Sequence, residues 1–538
     1  MGAKIITAAL PYVYSIPHIG NLVGSVLPAD VYFKYCTEKG EDAIFICGSD
    51  QHGTPIELEA IKRGVKPETL ANEMHRKVMR LFKKFGCTFS KYGKTHSLEN
   101  KATVYEIFRA LLNNGFITER EEEQAYCEND KRFLVDRLIE GTCPFCKGNH
   151  ARGDQCDDCG RLLNPREIID PYCKICGKKD IVFKKTKNLA IELGKLSKEI
   201  EDLAEERKLH WSKNAYNKAR SLIKEGLLPR DITRNMKWGF KVPMKGYEDH
   251  VFYVWFDALI GYIGITRSLE KEDWVKYWKS EDSELIQFFG KDNIEFHTIM
   301  WPAILIGSRM GLVTPSRIKA MEHLLINEEK ISKSRGNVIN LDKAAEAFEP
   351  DYWRFALMYM APESGDSSFT IEGFVDTINK VINDKIGNLL HRAATIQHTQ
   401  KLELKPFIDE EANRIRKEYE EFMERLEFRP AIEKILELAA YGNGIINDEK
   451  PWELDRSNTN SVERVRSVMS RLNGICILVI YLLYPFMPKA ANKCSRKYFN
   501  VREAKELIGK MPPFSFERKP KPIFQRADMN SLIKSLSQ

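Results

Sequence analysis

The chain has 538 residues, of which 43% are hydrophobic and 30% are charged. This balance is typical of a soluble globular protein and excludes a disordered or fibrous chain, and the length corresponds to roughly three to four domains. Lysine and arginine number 83 and acidic residues 76, so the net charge is +7. A charge this small for the length permits a polyanionic partner without requiring one.

Two features of the sequence argue against export and membrane insertion. The N-terminal stretch reads MGAKIITAALPY, with one lysine and no small-residue cleavage site, so we expect no cleavable signal. The longest apolar run, ICILVIYLLYPFMP, is too short to span a bilayer and contains a proline, which favours a buried helix. We therefore expect a cytoplasmic protein that does not enter a membrane.

The first 115 residues carry the pattern of a parallel sheet. The β-rich run KIITAAL ends at Pro11, a helical pattern extends from about His18 to Lys39, and DAIFICGSD follows as a second buried strand. A strand, a helix and a strand in this short space predict a βαβ unit. Further helices are predicted over roughly 56–115.

The pattern changes after residue 116, where cysteines, turn residues and charges dominate up to about residue 243. This stretch reads as an inserted domain, because EDHVFYVWFDALIGYIG and ELIQFFGKDNIEFHTIMWPAILIG then restore buried strands and helices. The segment 320–372 is mixed and rich in loops. From about Ile371 onward, apolar residues recur at i, i+3, i+4 and i+7, which predicts a helix bundle.

Seven of the twelve cysteines lie between Cys127 and Cys176, mostly as C-x-x-C pairs, which favours zinc over disulfides. Two pairs are separated by a short loop that contains glycine: Cys143 with Cys146, and Cys156 with Cys159. Four thiolates on two tight turns suit a closed, tetrahedral and therefore structural zinc site. The third pair, Cys173 and Cys176, needs two further ligands.

A candidate phosphate site lies at the junction of the first strand and helix, in the stretch PYVYSIPHIGN. Ligands of open parallel sheets bind beyond the carboxyl ends of the strands, and a helix N-terminus there offers free N–H groups to phosphate. His18 and Asn21 are donors in the first turn, and Gly20 allows close approach of a nucleotide. Taken alone, a histidine at this position is more often a helix cap or a surface residue.

The stretch KISKSRGN at 330–337 combines two lysines, two serines, an arginine and a glycine. A loop of this composition can close over a triphosphate and neutralise the charge that develops in a transition state. The alternative from composition alone is a solvated basic loop.

Together, HIGN and KISKS resemble the two signatures of class I aminoacyl-tRNA synthetases. Asn21 stands where many members have histidine and Ile331 where they have methionine, and both changes keep the chemical character of the position. The resemblance extends to methionyl-tRNA synthetases of archaeal or eukaryotic type and covers essentially the whole chain. The stretches that carry it are AALPY, CGSDQHGTP, GTCPFC, ARGDQCDDCGRLL, LPRDITRNMKWGFKVP, YVWFDALIGY, GKDNIEFHTIMWPA and KISKSRGN.

The resemblance implies a ligase that acts in two steps. ATP, accompanied by Mg²⁺, activates L-methionine to methionyl adenylate, which is then transferred to the 2′-hydroxyl of the terminal adenosine of initiator and elongator tRNA(Met). Two other functions stay open: a class I synthetase for another amino acid, and a non-catalytic zinc protein that binds RNA. The insertion is largely occupied by the cysteine pairs, which argues against synthetases that carry a large editing domain.

The resemblance also implies roles for individual residues. Asp50 would hold the α-ammonium of methionine, and an aromatic pocket would hold the thioether, a group that packs well against ring faces; ordinary core packing is the alternative for these rings. The implied methionine positions are Leu10, Tyr12, Asp50, Trp255, Ala258, Leu259, Tyr262, Phe296 and His297. The implied ATP positions are His18, Gly20, Asn21, His323, Lys330, Ser332 and Lys333, of which His18, Asn21, Lys330 and Lys333 would be catalytic.

Three positions of the helical region match residues that contact the anticodon in this family. Asn388 and Arg392 are four residues apart and share one helix face, and Trp452 follows a helix on a turn. Amide, guanidinium and aromatic groups recognise unstacked bases. Without the resemblance, the first two would be read as a solvated face and the tryptophan as core.

Family members with two metal sites nest them, so that an outer pair before the inner site joins one after it. Here the outer pair reads Cys127 and Asp130, in the stretch YCENDKRFL, and a carboxylate is an acceptable zinc ligand. The second site would then consist of Cys127, Asp130, Cys173 and Cys176. A metal-free second turn, or another donor such as water or His150, stays open.

The predicted fold is α/β: a Rossmann-like parallel-sheet catalytic domain, split by a zinc-knuckle insertion and followed by an all-α helix-bundle anticodon-binding domain. Longer relatives add a C-terminal tRNA-binding, dimerising domain that we do not see in this sequence, so we expect a monomer, or a chain whose dimerising module is separate or removed. The predicted boundaries are 1–115 and 246–320 for the two catalytic halves, 116–245 for the insertion, 321–372 for a stem-contact region with the KISKS loop, 373–515 for the bundle and 516–538 for a tail that packs back on the body.

Overall fold

The computed structural model describes residues 2–135, 138–153, 156, 158–159, 161, 163–269, 274–330, 338–516 and 519–537. Most of the predicted KISKS loop, including Ser332 and Lys333, lies outside the described residues. The described strands are β1 (Lys4–Ala8), β2 (Ala43–Ser49), β3 (Lys91–Lys94), β4 (Ile117–Cys127), β5 (Arg132–Phe133), β6 (Ile139–Thr142), β7 (Ala151–Arg152), β8 (Ile169–Cys173), β9 (Ile181–Ile191), β10 (Arg230–Asp231), β11 (Thr233–Arg234), β12 (Val251–Phe252), β13 (Glu284–Gly290), β14 (Pro315–Met321), β15 (Leu324–Ile326), β16 (Glu329–Lys330) and β17 (Ser367–Phe369).

A five-stranded parallel sheet forms the centre of the catalytic part, in the order β14-β13-β1-β2-β3. Strands from both sides of the insertion therefore pair in one sheet, which confirms the predicted split parallel sheet. Successive residues face opposite layers: Ile5 packs in one core and Ile6 in the other. Because both faces are covered, the central strands β1, β2 and β13 are mainly apolar, as parallel strands usually are.

Helices cover both faces of this sheet and continue into the region after it. In this part of the chain the α-helices are Ile19–Asn21, Leu27–Glu38, Thr54–Arg63, Pro67–Lys84, Leu98–Asn113, Ser197–Glu206, Lys213–Glu225, Val254–Arg267, Trp274–Trp278, Trp301–Gly307, Leu341–Ala347, Pro350–Tyr359 and Ile371–Asp376. Three π-helical segments adjoin them, namely Leu22–Val26, Phe296–Met300 and Thr377–Gly387, and short 3₁₀ turns lie at Pro165–Glu167, Leu193–Leu196 and Lys291–Asn293.

The insertion consists of a long arm and a small sheet. β4 and β9 pair antiparallel along their whole length, with β5 and β10 at the sides, and carry the sheet β7-β6-β8 at their far end. The cysteine pairs lie there. The helices Ser197–Glu206 and Lys213–Glu225 also fall inside the inserted stretch, but they pack on the core of the catalytic sheet.

The C-terminal part is helical, as predicted. Its elements are Asn388–Gln400, Glu410–Glu424, Phe428–Glu449, Thr459–Leu483, Pro488–Phe499, Ala504–Glu506, Leu507–Lys510 and Met529–Ser537. Among the described residues one helix, Thr459–Leu483, is long and apolar enough to cross a membrane by length and composition alone. Its most apolar window is 72% buried inside the protein, which is the burial of a core helix.

A buried ion pair lies where the catalytic part, the helix Pro350–Tyr359 and the C-terminal helices meet. Arg354 is fully buried and forms a salt bridge of 2.7 Å with Asp30, on the helix Leu27–Glu38. The same guanidinium donates to the carbonyls of Pro485 and Phe486, which end the central helix of the bundle. These partners satisfy the buried charge of Arg354. Its contacts therefore link three elements: the helix Leu27–Glu38, the helix Pro350–Tyr359 and the end of the helix Thr459–Leu483.

Candidate active site and metal knuckles

A cavity of about 390 Å³ opens at the carboxyl edge of the central sheet. Most of the residues expected to bind methionine and ATP line it, although they come from five separate stretches of the sequence. These residues are Leu10, Tyr12, His18, Gly20, Asn21, Asp50, Trp255, Ala258, Leu259, Tyr262, His297 and His323.

Asp50 lies at the floor of the cavity, directly after β2. Its N–H donates to the Pro11 carbonyl at 3.0 Å and its own carbonyl accepts from Val13 at 3.3 Å, so a short parallel bridge places Asp50 beside Tyr12. The carboxylate is 2% exposed and accepts one backbone hydrogen bond, from His52. Burial, and then the nearby charge of Asp257, raise the pKa of Asp50 well above its ordinary value.

A chain of buried polar side chains lies behind Asp50. Asp257 hydrogen-bonds to Nδ1 of His52, and Nε2 of His52 is 2.8 Å from Nδ1 of His96. Burial raises the pKa of Asp257, while the His52 partner opposes that shift. Trp238 and Phe240 pack against both imidazole rings. The resemblance assigned no role to this chain, and no spacing in the sequence indicated it.

The aromatic side of the cavity is built in two layers. Trp255 lines the cavity, and Phe296 stacks on it with ring centroids 3.9 Å apart and nearly parallel planes. Tyr12 meets Trp255 edge-on at 6.4 Å. Phe296 is therefore a supporting ring behind Trp255 and does not itself line the cavity. A flat ring with such support offers a fixed apolar face.

A hydrogen-bonded pair closes the inner end of the pocket. The hydroxyl of Tyr262 lies 2.9 Å from Nε2 of His297, and Nδ1 of His297 lies 3.0 Å from the Asn293 carbonyl. Since a carbonyl only accepts, Nδ1 carries the proton and Nε2 accepts from the tyrosine. Burial lowers the pKa of His297 to about 4, so the imidazole is neutral at neutral pH.

His18 is a helix cap and a cavity residue at the same time. Its Nδ1 accepts the N–H of Asn21 at 3.3 Å, and Oδ1 of Asn21 accepts the N–H of His18 at 3.0 Å, which completes a capping box. The two interpretations of the sequence were therefore not exclusive. Because Nδ1 accepts a hydrogen bond, the proton of the neutral ring is on Nε2, the atom suited to donate to a phosphate.

The residues that follow the KISKS stretch are fixed next to the first signature. Before it, Lys330 pairs with Leu325 in the hairpin of β15 and β16. After it, Ile339 accepts the N–H of Ile19 at 3.0 Å, and Leu341 donates to the Pro17 carbonyl at 2.9 Å. The two signatures are therefore neighbours in the fold, although more than 300 residues separate them in the sequence.

His323 follows β14 and lies at the same cavity edge. Its Nε2 is 3.0 Å from Asp292, and its N–H donates to Asp366 at 2.8 Å. Asp292 and Glu322 also line the cavity. The GKDN stretch is part of the family resemblance, but the resemblance implied no role for Asp292. A charged residue just after a strand of a parallel sheet is the pattern that indicates it.

The first metal knuckle is compact. The ligand atoms of Cys143, Cys146, Cys156 and Cys159 all lie within 4.8 Å of one another. Two Sγ–Sγ distances are 3.6 and 4.0 Å, between Cys146 and Cys156 and between Cys143 and Cys159. Four sulfurs at 2.3 Å from one zinc ion are about 3.8 Å apart, so the spacing fits a tetrahedral site.

The second knuckle brings together the four residues that the resemblance implied: Cys127, Asp130, Cys173 and Cys176. The sulfurs of Cys127 and Cys176 are 3.7 Å apart, and the Asp130 carboxylate is 3.0 Å from the Cys173 sulfur. Partial burial raises the pKa of Asp130, but hydrogen bonds from the two facing thiols outweigh it and lower the pKa overall. His150 hydrogen-bonds to Asp158 in the first knuckle and is not part of this group.

The backbone of the Cys127 turn has the shape of a cysteine knuckle. In each C-x-x-C turn the first cysteine donates its N–H to the carbonyl five residues later: Cys143 to Gly148, Cys156 to Arg161 and Cys173 to Lys178. Cys127 pairs in the same way with Arg132.

The residue after the second ligand is left-handed in three of these turns, with φ of 48° at Lys131, 61° at Lys147 and 73° at Gly177. A lysine accepts this conformation only at a cost, so the shape is imposed by the turn. Asp130 therefore occupies the position of a second knuckle cysteine.

The expected anticodon residues lie on one surface of the bundle. Arg392 donates to Asn447 at 2.8 Å, and both Arg392 and Asn388 reach Asn443 at 3.4 Å. Trp452 follows on the next turn and is 48% exposed. Sequence patterns did not identify Asn443 and Asn447 as part of this surface, although their spacing of four on an amphipathic helix indicates that they share one face.

Comparisons with known proteins agree with this arrangement. The model of the family "tRNA synthetases class I (M)" matches residues 4–394, and that of the "Anticodon binding domain of methionyl tRNA ligase" matches residues 399–506. A methionine–tRNA ligase of Pyrobaculum islandicum is 41% identical over 91% of this chain and 88% of its own length. One of Korarchaeum cryptofilum is 37% identical over 99% and 97%.

The fold also has a solved counterpart. Mycobacterium tuberculosis methionyl-tRNA synthetase, in complex with methionyl-adenylate, superimposes with a TM-score of 0.78 at 22% identity and covers 98% of this chain and 100% of its own. At that identity the likeness concerns the fold alone. The family matches and the curated relatives carry the assignment: the chain belongs to the methionyl-tRNA synthetases, the class I methionine–tRNA ligases.

Proposed function

We propose that the cavity activates L-methionine with ATP and that the bundle selects tRNA(Met) for the second step. The observation that carries this proposal is the convergence, in one cavity, of a buried carboxylate, a supported aromatic face and the phosphate-facing helix start. Each element has an ordinary structural explanation by itself. Their meeting at the carboxyl edge of the sheet, in a member of this family, is what favours catalysis.

Asp50 would bind the α-ammonium of methionine. The floor of the cavity is shielded from water, so a carboxylate there attracts a cation far more strongly than at the surface. The ammonium would in turn lower the pKa of Asp50 and stabilise its charged form.

Trp255, backed by Phe296, would hold the thioether chain together with Leu10, Tyr12, Ala258 and Leu259. A thioether is polarizable and packs against aromatic rings. Tyr262 and His297 would lie at the end of the pocket, where a neutral hydrogen-bonded pair offers a polar contact without a charge. An apolar pocket alone separates near-isosteric side chains by only about 1–3 kcal/mol, so this pair would add selectivity.

Catalysis of adenylate formation would be electrostatic. The methionine carboxylate attacks the α-phosphorus of ATP, a bond to phosphorus forms as pyrophosphate leaves, and no covalent enzyme intermediate is needed. Nε2 of His18 and the amide of Asn21 would donate to phosphate oxygens beside Gly20. Lys330, Ser332 and Lys333 would close over the leaving group, His323 would contact the adenosine, and Mg²⁺ would accompany ATP as a substrate ion.

In the second step, the 2′-hydroxyl of the terminal adenosine of the tRNA attacks the carbonyl of the adenylate and AMP leaves. Asn388, Arg392 and Trp452 would read the CAU anticodon of initiator and elongator tRNA(Met). An exposed tryptophan supplies a stacking platform, and the amide and guanidinium groups supply directional donors.

Zinc is the metal that fits both knuckles, because thiolates and a carboxylate at these spacings suit a small tetrahedral ion. The first set of four cysteines would bind one structural Zn²⁺. Cys127, Asp130, Cys173 and Cys176 would bind a second. Neither set leaves an open position for substrate, so the role of the metal would be to fold the insertion.

We assign functions to the predicted domains. Residues 1–115 and 246–320 would carry out catalysis, 116–245 would form the metal-binding insertion, and 321–372 would contact the tRNA stem. Residues 373–515 would read the anticodon, and 516–538 would form a tail. We further propose that the enzyme acts in the cytoplasm as a monomer. Elution at the mass of a dimer in light scattering would contradict the monomer.

Charging assays test the proposal. With ATP and labelled methionine, the enzyme should charge a tRNA(Met) transcript with anticodon CAU. Trp452→Ala should lower kcat/KM for tRNA by about 5- to 150-fold, since a lost stack costs about 1–3 kcal/mol, and a change of the anticodon that removes several contacts should lower it by about 100-fold or more. Charging that ignores the anticodon would overturn the role of the bundle.

A further inference from the structure

The helix Pro67–Lys84 carries a cluster of exposed basic side chains without salt-bridge partners among the described residues. Its second half exposes Arg76, Lys77, Arg80, Lys83 and Lys84, and its two acidic residues lie in the first half. None of these five cations forms a salt bridge within the described residues, where such pairs are otherwise common. Residues at i, i+4 and i+8 share a face, so three of the cations form one stripe.

A second basic helix continues this stripe from another part of the molecule. Pro488–Phe499 contains no acidic residue and exposes Lys489, Lys493, Arg496 and Lys497. These side chains also lack salt bridges among the described residues, and their spacing again places them on one face. The two helices meet end to end, because Nζ of Lys489 donates to the carbonyl of Lys84 at 3.4 Å.

The C-terminal tail extends the positive surface toward the anticodon residues. Lys493 donates to the Ile523 carbonyl, which fixes the tail beside the second helix. Two further exposed lysines, Lys519 and Lys521, lie just before that point. Phe516, at the start of the tail, packs edge-on against His398 with ring centroids 6.2 Å apart, so the tail passes beside the helix Asn388–Gln400, which carries Asn388 and Arg392.

These three segments together form a surface that we call the basic track. It runs about 12 Å along each helix, from Arg76 to Lys84 and from Lys489 to Lys497, at about 1.5 Å per residue. The helix Glu410–Glu424 of the bundle differs from it, since Arg414 there is paired with Glu411, Glu418 and Glu437. Charge is therefore balanced on that helix and left unbalanced along the track.

We propose that the basic track binds the phosphodiester backbone of the tRNA body between the anticodon surface and the catalytic part. This inference rests on the proposed function, which makes tRNA the substrate. A solvated basic face is the ordinary explanation for cations on one helix. Here the cations continue over three segments and two parts of the fold, and none of them forms a salt bridge among the described residues, which is the electrostatic pattern of a nucleic-acid surface.

The test removes four charges from the track and keeps polar side chains: Arg80→Gln, Lys84→Gln, Lys489→Gln and Lys493→Gln. We expect KM for a tRNA(Met) transcript to rise at least 10-fold with little change in kcat. Each phosphate contact that is lost should also lower the slope of log kcat/KM against log salt by about one. Methionine-dependent pyrophosphate exchange, which needs no tRNA, should be unchanged.

A matched variant removes the same charge from the opposite layer of the catalytic sheet: Lys101→Gln, Arg109→Gln, Lys218→Gln and Lys224→Gln. These residues are equally exposed and should leave KM for tRNA within about twofold, because a screened surface charge acts over only about 8–10 Å. Equal losses in both variants, or an unchanged KM and salt slope in the track variant, would overturn the inference. If the unmodified enzyme did not charge tRNA(Met), the proposed function would fail instead.

Discussion

At the residue scale, Asp130 shows what sequence and structure each contribute. The sequence alone provided a third cysteine pair without partners, and the family resemblance implied Asp130 as a ligand while a metal-free turn stayed open. The structure groups Asp130 with the three cysteines and gives its turn the backbone of a cysteine knuckle. The position could be predicted because C-x-x-C spacing is a strong local pattern, whereas the approach of distant cysteines is not visible in local spacing.

The metal content of purified variants tests this residue. The unmodified protein should contain two zinc ions per chain. Asp130→Ala removes one ligand and should leave one zinc, while Asp130→Cys restores a four-thiolate site and should keep two. Elemental analysis by mass spectrometry measures all three. A single zinc in the unmodified protein that persists in Asp130→Ala would mean that the second knuckle is a metal-free turn.

Asp50 predicts a pH dependence of methionine binding. Because burial raises its pKa, Asp50 is protonated in the empty site at acid pH, and binding of an ammonium then requires loss of that proton. KM for methionine should therefore rise as the pH falls through the raised pKa. Asp257→Asn removes a negative charge that contributes to this shift, so the rise should begin at lower pH than in the unmodified enzyme.

The substitution Asp50→Asn is the control for this prediction. His52 and Asp257 lie behind it, and Asp50 in turn contributes to raising the pKa of Tyr262. Asp50→Asn should raise KM for methionine by about 100-fold or more at every pH, as expected for loss of a buried ionic partner, and flatten the pH profile. A rise in KM that began at higher pH in Asp257→Asn would contradict the proposed coupling.

At the scale of elements, the helix Thr459–Leu483 lies where the sequence predicts one. The helical pattern of the sequence covers 461–486, in SVERVRSVMSRLNGICILVIYLLYPF, and the structure has a helix of 25 residues there. Its middle contains Gly474, where a Cβ atom would lie 1.9 Å from the Phe407 carbonyl. The chain that connects two bundle helices therefore passes directly over this glycine.

A pair of alanine substitutions tests that packing. Gly474→Ala should lower the free energy of unfolding by about 2–3 kcal/mol, because backbone must move to admit the methyl group. Gly444→Ala, in the middle of Phe428–Glu449 with no atom within 4 Å of its Cβ position, should raise it by up to about 1 kcal/mol. Thermal unfolding of both proteins measures the difference, and an equal midpoint for the two would contradict the packing.

Short elements were the ones that sequence patterns did not resolve. The stretch EDHVFYVWFDALIGYIG was interpreted as part of the central sheet, but Val251–Phe252 pairs with Thr233–Arg234 in a separate small sheet and the remainder is the helix Val254–Arg267. Two helices, the partly buried Leu341–Ala347 and the buried Pro350–Tyr359, lie in the segment predicted to be rich in loops. Elements of two to ten residues give too few periods for a pattern to emerge.

At the scale of the whole molecule, the catalytic cavity is a product of topology. The split parallel sheet could be predicted from buried strands on both sides of the insertion, and the two signatures then had to meet at its carboxyl edge. The residues that the sequence missed act through contacts between distant segments: Asp257 with His52, and Asn443 and Asn447 with Arg392. Asp257 and His52 share no local spacing, and the spacing of four between Asn443 and Asn447 does not identify Arg392 as their partner, so only the folded chain reveals these contacts.

Amino-acid-dependent exchange of pyrophosphate into ATP tests the central claim most directly, because it needs the cavity alone and no tRNA. The account predicts exchange with methionine and none above background with each of the other standard amino acids, and a loss of at least 100-fold in Asp50→Asn. Exchange that depends on a different amino acid, or none with methionine, would contradict it.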